Sequence, residues 1–201
     1  INGRGPQTVL GASVLSPRVL AAMTAANRHF VDMGELLTRT GEIIAQMLRC
    51  EAAYVTPGCA AAIALGTAAC IARDDPSKIA KIPHTNGMPN EVLVQKRHVI
   101  GSSGFNKYVR LVSVGGGQLV EVGDESGTSE AQLEAGFGPN TAAVYVLHSK
   151  AFREGAVPLA DVAAIAHEHE VPVLVDAAGS VYPHEEMEEP MQQGGDLVGY
   201  G

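Results

Sequence analysis

The chain has 201 residues, 46% hydrophobic and 18% charged, which is enough apolar material to bury a core as one domain or one and a half. Twenty-two acidic against fourteen basic side chains give a formal charge of -8 without any Lys/Arg cluster, which argues against a dedicated nucleic-acid surface. No apolar run has membrane-spanning length and no charged-then-apolar start is present, so a soluble, cytoplasmic protein is expected, with Cys50, Cys59 and Cys70 as reduced thiols.

In chain order, Ser16-Pro17 opens a predicted helix over 17–29, with Val19, Leu20, Met23 and Ala26 at helical spacing. A second helix over 33–49 puts Leu36, Leu37, Ile43, Ile44, Met47 and Leu48 on one apolar face. "EAAYVTPG" reads as a short strand ending in a Pro-Gly turn, and "CAAAIALGTAACIA" as a helix small enough to pack closely on a sheet. A polar connection over 73–90 leads to a strand at 91–96, a helix near 104–112, a turn at "GGG" (115–117) and a strand at 118–122. The alternation continues with "TSEAQLEAGF" as helix, "TAAVYVLHS" as strand, "LADVAAIAHEHE" as helix, "VPVLVDAAG" as strand and "GGDLVGYG" as a strand entering a turn. "HEEMEEP", 184–190, reads as a solvated loop.

Continuous apolar strands separated by helices predict crossover units and a mostly parallel sheet covered on both faces, an α/β fold of three layers, α/β/α. A sheet seldom finishes on its way into a loop, so the chain reads as part of a longer protein.

In such sheets ligands gather beyond the carboxyl ends of the strands. Four strand ends carry candidates. In "TPGCAAA" the small residues Gly58, Cys59, Ala60 and Ala61 open a helix whose amides and dipole suit a phosphate; a plain tight turn before a close-packed helix fits equally well. Cys59 there is either a thiol activated by the helix end or simply a small residue. His98, just past a strand, is either structural or a face on which an aromatic cofactor could stack. His148, Ser149, Lys150 and Arg153 cluster in the next connection. Asp176, after a buried strand, needs a cationic or hydrogen-bonding partner, unless it caps a following helix. "HEHE" and "HEEMEE" each lack a third partner, and no metal is expected.

A phosphate-ready turn, a ring-stacking histidine some forty residues on and an Asp-x-Ala strand end together resemble the pyridoxal-phosphate enzymes of the aspartate-aminotransferase fold, fold type I. The closer match is the branch containing selenocysteine synthase (L-seryl-tRNA selenium transferase) and D-glucosaminate-6-phosphate ammonia lyase. "INGRGPQTVLGASVLSPRVLAAM", "HFVDMGELLTRTGEIIAQML", "EAAYVTPGCAAAIALGTAACIA", "NEVLVQKRH", "GGGQLVEVG" and "VPVLVDAAG" resemble successive blocks of that branch, and the "PNEVLVQKRH" and "GGGQLVEVG" segments favour its ammonia-lyase side.

The resemblance implies pyridoxal 5'-phosphate as cofactor. Asp176 would pair with the pyridine nitrogen, Ala178 would pack on one ring face and His98 on the other, and Gly58, Cys59 and Ala60 would hold the phosphate through their amides. Ser149 would meet the ring hydroxyl, and Arg153 and Arg4 a substrate anion, Arg4 lying with Asn2 and Thr8 in an N-terminal arm. The implied organisation is an arm and helices over 1–50 and part of the cofactor-binding large domain over 51–201, with the small C-terminal domain absent from this chain. The implied activity is elimination with release of ammonia from an amino acid or amino sugar acid, in a homodimer or higher homo-oligomer. Selenium transfer to seryl-tRNA and a non-catalytic homologue are the alternatives. A Schiff-base lysine is expected a few residues beyond "DLVGYG"; Lys78, Lys81, Lys96, Lys107 and Lys150 do not lie in that context.

Overall fold

The computed structural model describes residues 10–11, 13–99 and 110–201. Helix α1 is Pro17–Ala26, started by the Ser16 hydroxyl accepting from the Val19 amide; α2 is Met33–Leu48, started in the same way by Asp32 and ended by Arg49 in the left-handed region. Helix α3, Cys59–Ala72, follows, then the single turn α4, Pro76–Ile79. The segment 52–56 takes no regular structure and pairs with no strand among the described residues, contrary to expectation, and Tyr54 and Val55 are exposed. Its apolar pattern marks surface suited to burial, which is a weaker condition than a ladder partner.

Five parallel strands make the sheet: β1 Glu91–Gln95, β2 Gln118–Val122, β3 Thr141–Leu147, β4 Val173–Asp176 and β5 Leu197–Gly199, in the order β2-β1-β3-β4-β5. Between them lie α5 (Lys96–Val99), α6 (Glu130–Glu134) and α7 (Leu159–Glu168). The helix expected near 104–112 falls partly outside the described residues; 110–114 are helical, and the turn at 115–117 is present. Helix α6, of five residues, is started by a reciprocal Ser129–Gln132 capping box.

Successive strand residues face opposite ways, as the pleat dictates. Val92, Val94, Ala143, Tyr145 and Leu174 pack with Ile63 and Cys70 of α3 on one side, while Leu93, Val144, Val146, Val173 and Val175 pack with Leu133 of α6 and Val162 and Ala166 of α7 on the other. The three layers are those expected. The small residues of α3 permit its close approach: a Cβ on Gly66 would lie 2.7 Å from Leu174 Cδ1.

The acidic stretch at 184–190 is structured. His184–Glu188 form a 3-10 turn that runs into α8, Glu189–Gln192, with Pro190 buried. The Tyr200 hydroxyl donates to the Met187 carbonyl, and Glu186, Glu188 and Glu189 face Lys150, Arg49 and Arg153 at 3.9, 3.7 and 4.0 Å. Composition alone suggested solvation because the partner cations come from two distant segments, around residues 49 and 150–153.

Candidate active site

The chain leaves β1 for β2 at one edge and returns to β3 on the other side of β1, so the order reverses between β1 and β3. Loops diverge at such a point and leave a crevice at the carboxyl rim. At that rim stand His98 after β1, His148 and Ser149 after β3, Asp176 at the end of β4 and Gly199 at the end of β5. Fully buried Gln95 fixes the loop above β1 by bonding both backbone groups of Val157, at 3.0 and 2.6 Å, and Arg97 Nε donates to the Glu154 carbonyl at 3.0 Å.

Asp176 is 4% exposed. Its Oδ2 accepts from the Tyr145 hydroxyl at 2.8 Å, and its Oδ1 accepts from the Ala178 amide at 3.1 Å and the Cys59 thiol at 3.4 Å. A carboxylate offers about four acceptor positions, so these three donors leave one. The bond to Ala178 makes a tight turn, and no helix begins at 177–183, so Asp176 is not a helix cap. Burial first, and then the charge of Asp176, push the Tyr145 hydroxyl and the Cys59 thiol well above their ordinary values. Both therefore remain protonated donors, and Cys59 is not an activated thiolate: burial outweighs the helix end.

Tyr145 was not singled out from the sequence. The available signal was a lone hydroxyl in the otherwise apolar "AAVYVL", on the same face as Leu174, its register partner on β4. Tyr145→Phe removes one donor to a buried charge while keeping the ring, and should cost about 1–3 kcal/mol of stability. Urea unfolding of the full-length variant checks this; an unchanged midpoint would remove Tyr145 from the network.

Helix α3 points its N-terminus at the same rim. Gly58 sits at φ 109°, ψ 168°, a conformation essentially reserved for glycine. Its carbonyl accepts from the Thr56 hydroxyl at 2.9 Å and from the Ala61 and Ala62 amides at 3.0 and 3.2 Å. The amides of Cys59 and Ala60 have no protein acceptor among the described residues. The Cys59 thiol lies 3.3 Å from the Gly199 carbonyl as well as against Asp176, which ties this helix end to β4 and β5. Gly58, Cys59, Ala60 and Asp176 are thus brought together.

His98 is 3% exposed, and its Nδ1 accepts from the Leu147 amide at 3.3 Å. Leu147 is the register partner of Asp176, so His98 stands one strand away from the carboxylate. Burial, then the nearby Arg97 charge, lowers its pKa from 6.5 to about 4. A buried base with a depressed pKa contributes stability above its unfolded value and loses it as pH falls. Stability should therefore drop by roughly 3 kcal/mol between pH 6.5 and about 4. Comparing urea midpoints of wild type and His98→Phe across that window checks this; equal slopes would refute it.

Ser149 is half-buried, with no side-chain partner among the described residues, and precedes a 3-10 turn over Lys150–Phe152. Arg153 is exposed and faces Glu189. Ala178 is exposed beside Asp176. Arg4, with Asn2 and Thr8, lies outside the described residues. In "HEHE", His167 meets Asp196 at 2.9 Å and His169 meets Glu134 at 2.8 Å, so each histidine has its own carboxylate.

No protein-family model matches the chain. It is 36% identical over 181 residues to a 5'-C-glycyluridine monooxygenase-decarboxylase of a Streptomyces species, covering 89% of this chain and 45% of that one. It is 31% identical over 201 residues to D-glucosaminate-6-phosphate ammonia lyase of Salmonella typhimurium, covering 100% and 53%. A solved structure of D-glucosaminate-6-phosphate ammonia-lyase superposes with a TM-score of 0.89 at 30% identity, over 98% of this chain and 52% of that one. Mouse CSAD shares the fold, with a TM-score of 0.57 at 19% identity over 94% and 44%. The chain thus spans about half the length of the curated relatives it matches. With its whole length aligned in sequence and nearly all of it in space, the chain is similar to D-glucosaminate-6-phosphate ammonia lyase, within the branch of fold type I pyridoxal-phosphate proteins that its sequence resembles.

Proposed function

We propose that the full-length protein is a pyridoxal-phosphate-dependent lyase that releases ammonia from an amino sugar acid. The observation that carries this reading is the buried Asp176 carboxylate, which among the described residues keeps one acceptor position free at the rim where α3 presents amides that have no acceptor there. One end of that pair suits a protonated ring nitrogen and the other a phosphate, so the residues fit the cofactor. Bound there, the cofactor supplies an electron sink for charge developing beside the substrate's amine-bearing carbon.

The chain's own residues then have definite tasks. Asp176 holds the proton on the ring nitrogen, and the amides of Gly58, Cys59 and Ala60 bind the phosphate. Neutral His98 covers one ring face while Ala178 leaves room at the other. Ser149 meets the ring hydroxyl, and Arg153 and Arg4 take the substrate's anionic groups, in keeping with the acid and phosphate in the name of the ammonia-lyase relative. The arm and helices over 1–50 and the large-domain portion over 51–201 are part of the same proposal. So is a homo-oligomer, supported by the exposed apolar Val14, Met23, Phe30, Met33 and Met47; sedimentation as a monomer would overturn it. The buried thiols of Cys59 and Cys70 suit a cytoplasmic setting.

The test is ammonia release from phosphorylated amino sugar acids by the full-length protein with pyridoxal phosphate, in the absence of oxygen. Visible cofactor absorbance and oxygen-independent ammonia are expected; a protein that binds no cofactor sinks the reading. The 36% identity to the monooxygenase-decarboxylase favours a second reading, oxidative decarboxylation, in which turnover consumes oxygen and releases carbon dioxide.

A further inference from the structure

Beside Asp176 lies a second polar arrangement. The His148 amide donates to the Asp176 carbonyl at 2.8 Å, joining the ends of β3 and β4. The His148 ring turns to Ser180 in the loop after β4, with Nδ1 3.0 Å from Ser180 Oγ, and that hydroxyl lies 2.9 Å from the His148 carbonyl. The Ser180 amide also closes the turn onto the Ala177 carbonyl at 2.9 Å. Within this small ring of bonds sit Ala177, Ala178 and Gly179, and the Ala178 amide donates to Asp176 Oδ1.

The proton arrangement follows from valence. A carbonyl only accepts, so the single Ser180 hydroxyl proton goes to the His148 carbonyl. Nδ1 must then carry a proton and donate it to Ser180 Oγ. The neutral ring is left with a bare Nε2, and Nε2 is the buried side-chain atom with no partner among the described residues. The ring stays neutral because burial lowers its pKa, the Arg153 charge adding to that and the Glu189 and Glu186 charges opposing it. A buried polar atom left unpaired is uncommon and calls for a reason. Here the reason is the clasp: the tautomer that holds Ser180 is the one that strands Nε2.

We propose that His148 and Ser180 are positioning residues, a clasp that fixes the Ala177–Gly179 turn and through it the Asp176 carboxylate and Ala178, where the cofactor ring would lie. The inference rests on the cofactor site proposed above for its consequence in binding, but the clasp itself is a property of this chain.

Two readouts separate these. Nitrogen NMR of histidine-labelled full-length protein, with His148 identified by its loss in His148→Asn, should show Nδ1 protonated and Nε2 bare; the opposite tautomer overturns the clasp whether or not cofactor binds. In the cofactor arm, asparagine can replace the Nδ1 donor and threonine the hydroxyl. His148→Asn and Ser180→Thr should therefore keep pyridoxal-phosphate affinity near wild type and leave the pH dependence of the bound cofactor's absorbance unmoved. His148→Leu and Ser180→Ala should weaken binding about ten-fold, the effect of losing one hydrogen bond's worth of positioning, and should shift that pH profile. Equal behaviour of the conservative and disruptive variants, with all four folded by circular dichroism, would overturn the proposal. Failure of wild type to bind cofactor, with the predicted tautomer intact, would count against the proposed function alone.

Discussion

Asp176→Ala in the full-length protein should weaken pyridoxal-phosphate binding by about 10- to 100-fold, the range expected for one charge-assisted hydrogen bond, and should eliminate turnover. The size of the effect follows from where the charge sits. A carboxylate 4% exposed, at the end of a strand whose other residues are apolar, has little water to fall back on, and its interaction with a cationic ring nitrogen is correspondingly strong. The substitution also leaves the Tyr145 hydroxyl and the Cys59 thiol facing a methyl group. Asp176→Asn is the informative companion. It keeps the shape but carries no charge to hold the ring-nitrogen proton, so it should bind cofactor within about ten-fold of wild type yet lose most activity. Absorbance titration and ammonia release measure the two effects separately; an alanine variant with wild-type absorbance and turnover would remove Asp176 from the site.

Gly58→Ala should be the most damaging single-methyl change near the site. Nothing lies within 4 Å of where its Cβ would be, so the methyl group meets no clash. The cost is conformational, about 1–3 kcal/mol for forcing an L-residue into φ 109°, ψ 168°. Relief of that strain would rotate the peptide that presents the Cys59 and Ala60 amides. Apo-protein stability should fall by that amount, and phosphate-dependent affinity should fall with it. Melting of the apo protein and titration with pyridoxal phosphate check both; a variant that melts and binds like wild type would show that the loop conformation is unimportant.

The layers of the fold were legible because they rest on local periodicity: "VLVD" and "AAVYVL" are too continuously apolar for any place but a doubly covered sheet, and the spacing between them demands crossovers. The same reading overreached at "AAYVT", since apolar content does not reveal whether a ladder partner exists. It also misjudged "HEEMEEP", whose cations arrive from residues 49, 150 and 153. At the site, Asp176 and Gly58 stood out because each violates a local expectation, a charge after a buried strand and a glycine before a helix. Tyr145, Ser180 and the side chain of Cys59 violate none. Their roles exist only through contacts 31, 32 and 117 residues apart in sequence, which no window on the chain contains.

The thiol of Cys59 touches the end of β4 through Asp176 and the end of β5 through Gly199. Helix α3 consequently cannot slide along the sheet without opening both contacts, and the interval between its free amides and the Asp176 carboxylate becomes a fixed gauge. A ligand of the proposed kind is measured at both ends at once: pyridoxamine phosphate matches the gauge as well as pyridoxal phosphate does, whereas a vitamer without its phosphate is gripped at one end only.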